Sequence, residues 1–210
     1  MDNLDQIIAR KLLQIKAVKL QPTIPFTWAS GWKSPIYCDN RKTLSYPPIR
    51  TFFKLQLARL ISENYPQTNA IAAVATGAIA QGALVADLLA LPFVYIRNAP
   101  KNHGLENLIE GELKAGSSVI VLEDLVSTGH SALKAVDAVR AFGCEVIAVV
   151  AIFTYGFPLA TKLFHEARVP LATLSHYDAV IDQALLAGYI SPADVQTLQV
   201  WRKDPAAWLP

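Results

Sequence analysis

The sequence predicts an α/β fold, a parallel doubly wound sheet preceded by an N-terminal hood, and three observations carry that expectation. Five short runs, 70–75 (AIAAVA), 93–97 (FVYIR), 118–123 (SVIVLE), 145–153 (EVIAVVAIF) and 170–175 (PLATLS), are too uniformly apolar for strands wetted on one face. Helical segments at 79–89, 131–142 and 157–167 alternate with them, so the order is βα repeated. Residues 21–48 have a different character, punctuated by Pro22, Pro25, Gly31, Pro35, Pro47 and Pro48. Ligands of such sheets bind beyond the carboxyl ends of the strands, which directs attention to the strand-to-helix turns.

In chain order, Leu4, Ile7, Ile8, Leu12 and Ile15 recur at helical spacing, with Asn3, Gln6 and Arg10 on the other face. Residues 21–48 read as an irregular hood with a short strand at 35–38 and aromatic surface from Trp28, Trp32, Tyr37 and Tyr46. Pro47-Pro48 suits the start of a second helix whose apolar side is Ile49, Phe52, Phe53, Leu57, Leu60 and Ile61. After the sheet, helices are expected at 179–187 and 191–200, the latter with Ser191 as N-cap and Pro192 in its first turn. The tail 203–210 reads as a surface strap, and His176 and Tyr177 as structural. The expected organisation is one domain over 1–210: helix and hood at 1–48, core sheet at 70–175, closing helices at 176–210.

Composition narrows the function. A chain of 210 residues with 52% apolar and 17% charged residues can bury a core without disulfides or a structural metal. Nineteen Lys and Arg against seventeen Asp and Glu, a formal charge of +2, are too balanced for a dedicated nucleic-acid binder. Cys38 and Cys144 lie far apart, without CxxC or Cys/His spacing, which fits a reducing compartment better than a disulfide framework or a zinc site. No window approaches the roughly eighteen apolar residues of a membrane span, and the N-terminus reads as an amphipathic helix rather than a signal peptide. A soluble, cytoplasmic chain is expected.

The most informative stretch is 119–131, VIVLEDLVSTGHS, where a buried strand ends in two acids and runs through small residues into a helix. Ser127, Thr128, Gly129, His130 and Ser131 place hydroxyls and main-chain N–H groups at the positive end of that helix, which suits a phosphate monoester. Glu123 and Asp124 would repel a phosphate unless something cationic or hydroxylic lay between, and a ribose diol answers that description, donating two hydrogen bonds while its 5-phosphate sits in the cup. GxxxxGK[ST] and GxGxxG are absent, which disfavours an ATPase or a dinucleotide enzyme. The turn 75–79 (ATGAI) lies at the same sheet end. Arg97, Lys101 and His103 supply three potential cations in a polar excursion with Pro100 and Gly104, suited to closing over a polyanion and stabilising a departing one.

The stretch 119–131 resembles the phosphoribosyl diphosphate (PRPP) signature of type I phosphoribosyltransferases. Stretches 25–42 (PFTWASGWKSPIYCDNRK) and 96–113 (IRNAPKNHGLENLIEGEL) resemble the hood and catalytic loop of the orotate phosphoribosyltransferase family. The resemblance implies transfer of phosphoribosyl from PRPP to orotate with Mg²⁺, giving orotidine 5′-phosphate and diphosphate in pyrimidine biosynthesis. It makes 123–131, including Leu125 and Val126, the PRPP-binding segment, with Ser127 also against orotate. It assigns Arg97, Lys101 and His103 to the leaving group, and implies a homodimer in which this loop reaches into the partner's site. No protein ligand for the metal is indicated. Departures are Asn98, Asn102 and Leu105 where many members are charged, and Ala29 where many have Lys, which leaves Lys33 as a possible substitute. No Arg follows the strand in AIFTYG (151–156), so Thr154, Tyr155, Lys33 and Arg41 are the candidates for orotate's carboxylate. The alternatives are transfer to another base, or a non-catalytic PRPP-binding regulator.

Overall fold

A computed structural model describes residues 3–28, 30–99 and 108–208. Six strands form the central sheet: β5 (Ala70–Val74), β6 (Phe93–Ile96), β7 (Ile109–Glu110), β8 (Ser118–Val126), β9 (Glu145–Thr154) and β10 (Leu171–His176). Their order is β10-β9-β8-β5-β6-β7. All neighbours run parallel except β7, which is antiparallel to β6. The doubly wound sheet is as expected, and both faces of its strands are dry. Ile71, Ala73, Ile120, Leu122, Ala148 and Val150 pack into one core, while Ala70, Ala72, Val119, Val121, Val149 and Ala151 pack into the other. That two-sided burial explains why these runs lack polar alternation.

Helices α1 (Leu4–Gln14), α2 (Pro47–Asn64), α3 (Ile79–Leu89), α6 (Tyr177–Leu186) and α7 (Pro192–Lys203) contribute to the first core. Helices α4 (His130–Ala141) and α5 (Pro158–Glu166) cover the other. Pro47 opens α2, and Ser191 caps α7 by accepting from the Asp194 N–H, as the sequence signals require. The chain leaves β5 for β6 on one side and returns to pair β8 on the other. The carboxyl ends of β5 and β8 therefore flank a topological switch point, where a crevice opens.

The hood is more regular than expected. Strands β1 (Val18–Leu20) and β4 (Ile36–Cys38) form one antiparallel ribbon, and β2 (Phe26–Thr27) and β3 (Lys33–Ser34) another. Arms of two or three residues are too short to show an alternating pattern, so only the β4 region was legible. A 3₁₀ turn, Asn40–Ser45, then leads to α2. Two other boundaries differ. Strand β8 runs on to Val126, so the acids lie within a paired strand, and the tail beyond α7 packs Trp208 against the core rather than lying wholly on the surface. His176 and Tyr177 are structural: His176 bonds Asp5 Oδ2 (3.1 Å), and the Tyr177 hydroxyl donates to the Leu198 carbonyl (2.9 Å).

Candidate active site

Glu123 and Asp124 end the apolar part of β8 and point to different neighbours. Glu123 is 5% exposed; its Oε1 accepts the Asp124 N–H (3.0 Å) and its Oε2 accepts from Ser131 Oγ on α4 (3.4 Å). Asp124 turns toward the 75–78 turn, where its carboxylate rests on Gly77: a Cβ there would stand 2.6 Å from Oδ1. Burial, reinforced by the charge of Asp124, pushes the Glu123 carboxyl well up. Burial also raises Asp124, although its hydrogen bond with Glu123 and the Arg41 charge act in the other direction. Burial thus favours the protonated form of both acids, and a vicinal diol, which supplies two donors, would favour the ionised one.

Beyond the acids the chain bends into α4. Gly129 adopts φ +88°, a conformation costly for other residues, and a Cβ there would strike the Phe164 ring at 2.8 Å. The first helical bond runs from the Leu133 N–H to the Gly129 carbonyl, so the N–H groups of His130, Ser131 and Ala132 have no acceptor within the helix. Thr128 Oγ1 lies 2.9 Å from His130 Nδ1, which orders the rim of this cup. Main-chain donors at a helix start beside hydroxyls form an anion site.

Next to the cup, a cavity of about 160 Å³ is lined by Trp28, Tyr37, Cys38, Leu125, Ser127 and Tyr155. Ser127 thus belongs to both the cup and the cavity. Trp28 lies 5.1 Å from Tyr155 and tilted 44° to it, and the Tyr155 ring is backed by Phe157, stacked at 5.3 Å and 8°, so the slot has packed aromatic walls. A larger groove of about 470 Å³ lies between α1 and α6, touching Arg10, Leu13 and Gln183, and contains none of the candidate site residues.

With this geometry in view, similarity can be weighed. A family model described as phosphoribosyl transferase domain matches residues 54–169, more than half of the chain. Orotate phosphoribosyltransferases from Bacteroides fragilis and Bacteroides thetaiotaomicron are 64% and 65% identical over 208 residues, 99% of this chain and 98% of each relative. The chain belongs to the orotate phosphoribosyltransferase family. The crystal structure of an orotate phosphoribosyltransferase from Aeropyrum pernix matches with TM-score 0.76 at 25% identity, covering 88% of this chain and 99% of that one.

Against the expectations for an orotate phosphoribosyltransferase, the sequence-derived residues divide into groups. Glu123, Asp124 and 127–131 come together around one crevice; Leu125 and Ser127 also wall the cavity, while Val126 is buried on the α4 side. Trp28 and Tyr37 line the slot, but Trp32 backs Trp28 at 6.3 Å. Thr154 is already engaged: its hydroxyl donates to the Val126 carbonyl (3.2 Å) and accepts the Gly156 N–H (3.0 Å). Lys33 Nζ donates to Thr27 Oγ1 across its own hairpin (2.8 Å) and is not part of the cavity lining. Arg41 forms a two-pronged pair with Asp39, Nε to Oδ1 at 2.7 Å and Nη2 to Oδ2 at 3.1 Å, and is 59% exposed. Arg97 pairs with Glu110 at 3.4 Å, and its N–H donates to the Leu108 carbonyl (2.8 Å), fastening both feet of the loop that leaves the sheet there. Lys101, His103, Asn102, Leu105 and Ala29 lie outside the described residues. Two contributors escaped the sequence reading: Cys38, and Asn40, whose Nδ2 donates to the Asp124 carbonyl.

Proposed function

We propose that this chain transfers the phosphoribosyl group of PRPP to orotate, releasing diphosphate and forming orotidine 5′-phosphate, as a cytoplasmic enzyme of pyrimidine biosynthesis. The observation that carries this reading is Ser127, shared between an anion cup at the start of α4 and an aromatic-walled slot. A sugar phosphate seated in the cup would point its anomeric carbon at a ring in the slot.

In this mechanism Glu123 and Asp124 accept from the ribose diol, and 127–131 bind the 5-phosphate through main-chain N–H groups and hydroxyls. As the bond to diphosphate lengthens, positive charge grows on the ribose and negative charge on the leaving group. Arg97, Lys101 and His103 donate to the departing oxygens, with the loop supplied by the partner subunit of a homodimer. Orotate's ring nitrogen takes the vacated position, giving up its proton to the departing diphosphate, with the ring held by the slot's aromatic walls. Its carboxylate is assigned to Arg41, whose Asp39 pair uses Nε and Nη2 and leaves Nη1 without a bond to a described residue.

Among the described residues no group of three or more His, Cys, Asp or Glu is placed to hold a metal ion. The acid pair fits Mg²⁺ only as one or two oxygen ligands, the remainder coming from PRPP and water. When bound, the ion would neutralise charge on the diphosphate.

No helix among the described residues is long and apolar enough to cross a membrane. The reading is tested by incubating purified protein with orotate, PRPP and Mg²⁺ and following the loss of orotate absorbance. Turnover with orotate supports it. Turnover with adenine or hypoxanthine instead would assign another base, and PRPP binding without turnover on any base would make the chain a sensor.

A further inference from the structure

Asp124 is fixed from three directions. Glu123 Oε1 holds its N–H, Gly77 leaves room for its carboxylate, and its carbonyl accepts a hydrogen bond from Asn40 Nδ2 at 2.5 Å. The first two contacts belong to the sheet and its switch-point turn. The third comes from the hood, 84 residues away in sequence.

Asn40 is only 2% exposed, and both ends of its amide are in use. Its Oδ1 accepts from Cys38 Sγ at 3.4 Å, while its own carbonyl accepts from Thr43 Oγ1 at 2.7 Å within the 3₁₀ turn. Flipping the amide would set oxygen against oxygen at Asp124, so the orientation is specified. Burial and the charges of Asp124 and Asp39 push the Cys38 thiol well up, keeping it protonated and able to donate. Cys38 also walls the aromatic slot.

We infer that Asn40 is a positioning residue for the ribose-binding acid, setting Asp124 from the hood and itself held in orientation by the cavity-wall thiol of Cys38. The inference rests on the reading above, in which Asp124 takes the ribose diol. Its consequence is that the hood, in addition to covering the base, sets the geometry of the sugar site. An apolar residue at position 40 would leave the Asp124 carbonyl buried without its donor, and the strand end would be free to turn.

The test titrates PRPP calorimetrically against wild type, Asn40→Leu and Asn40→Asp, with steady-state kinetics in which orotate is varied. The PRPP dissociation constant is expected to rise about tenfold in Asn40→Leu, the worth of one hydrogen bond to a buried carbonyl. A larger rise is expected in Asn40→Asp, whose carboxylate oxygen would face the Asp124 carbonyl. The thermal midpoint should fall, because a buried carbonyl loses its donor, while the orotate KM stays near wild type and the PRPP loss persists at temperatures well below that midpoint, which a merely structural asparagine would not produce. Unchanged PRPP affinity in either folded variant would overturn the inference, as would equal losses for both substrates that track a lowered midpoint. Asp124→Asn, titrated alongside, separates the two levels. If it keeps PRPP affinity, the diol reading has failed; if it loses affinity while both Asn40 variants keep it, only the positioning role falls.

Discussion

The Asp124 carboxylate occupies the space in which a side chain of residue 77 would stand, with Oδ1 only 2.6 Å from the site of an added Cβ. Asp124 has one short linker and is also held through its main chain, so it cannot move aside without turning away from the crevice. Gly77→Ala should therefore weaken PRPP binding about tenfold, the loss of roughly one good hydrogen bond, while leaving the melting temperature close to wild type. Calorimetric titration with PRPP checks this, and wild-type affinity would remove Asp124 from sugar binding.

Arg41→Gln should raise the KM for orotate by about ten- to a hundredfold, as expected for one charge-assisted hydrogen bond, with the PRPP constant little changed. Uracil, which lacks the carboxylate, should bind wild type and variant alike when measured as a competitor of orotate. A variant that loses uracil as well would point to damage of the slot.

Lys101→Ala should lower turnover by two or more orders of magnitude, roughly the 3–4 kcal/mol of one transition-state donor, with little effect on PRPP binding. If the loop acts across subunits, mixing this variant with Asp124→Asn should restore part of the activity through one intact site. Verified mixed dimers without recovery would place the loop in its own subunit's site.

Glu123 predicts how unliganded stability depends on pH. Its carboxyl is raised in the folded state by burial and by Asp124, whereas in the unfolded chain it titrates near about 4.3. Above that value the folded protein binds more protons than the unfolded one, so stability falls as pH rises through the raised titration of the pair. Thermal midpoints measured upward from about pH 4.3 should decline more steeply for wild type than for Glu123→Gln. A PRPP diol donates to the ionised pair, so binding in the same range should release protons, which is read by calorimetry in buffers of differing ionisation heat.

Trp201 is fully buried, and its Nε1 donates to the Lys33 carbonyl at 3.1 Å, fastening the hood to α7. Its ring meets those of Trp28, Tyr155, Phe157 and Tyr177. Trp201→Ala should cost about 3–5 kcal/mol by opening this cluster. The orotate KM should rise more than the PRPP constant, because Trp28 and Tyr155 are walls of the slot. Denaturant unfolding and kinetics check the two parts.

What was legible in the sequence was whatever is local. The βα rhythm and the acid-to-cup stretch lie within single elements, so periodicity and turn chemistry expose them. Ser127 could be assigned to the cup because the residues around it share one turn. The slot was only half visible: Trp28, Trp32 and Tyr37 all read as aromatic surface of the hood, and nothing distinguished Trp32, which backs the wall rather than forming it. Asn40 and Cys38 were invisible as a pair with Asp124, because a buried amide in a loop has no pattern until the hood folds over the sheet. Thr154 reads as a free hydroxyl in sequence, yet its two bonds at the strand end already occupy it.

The link between Trp201 and Lys33 also bears on the order of events on the ribosome. The acids and the phosphate cup need only residues up to about the end of the sheet, and chains fold from their N-terminal side as they emerge. The hood is among the first segments made, yet its fastening to α7 forms only after that helix has cleared the exit tunnel. Truncations lacking α7 should therefore retain the sheet while losing order in the hood, and with it both the base slot and the hood's hold on Asp124.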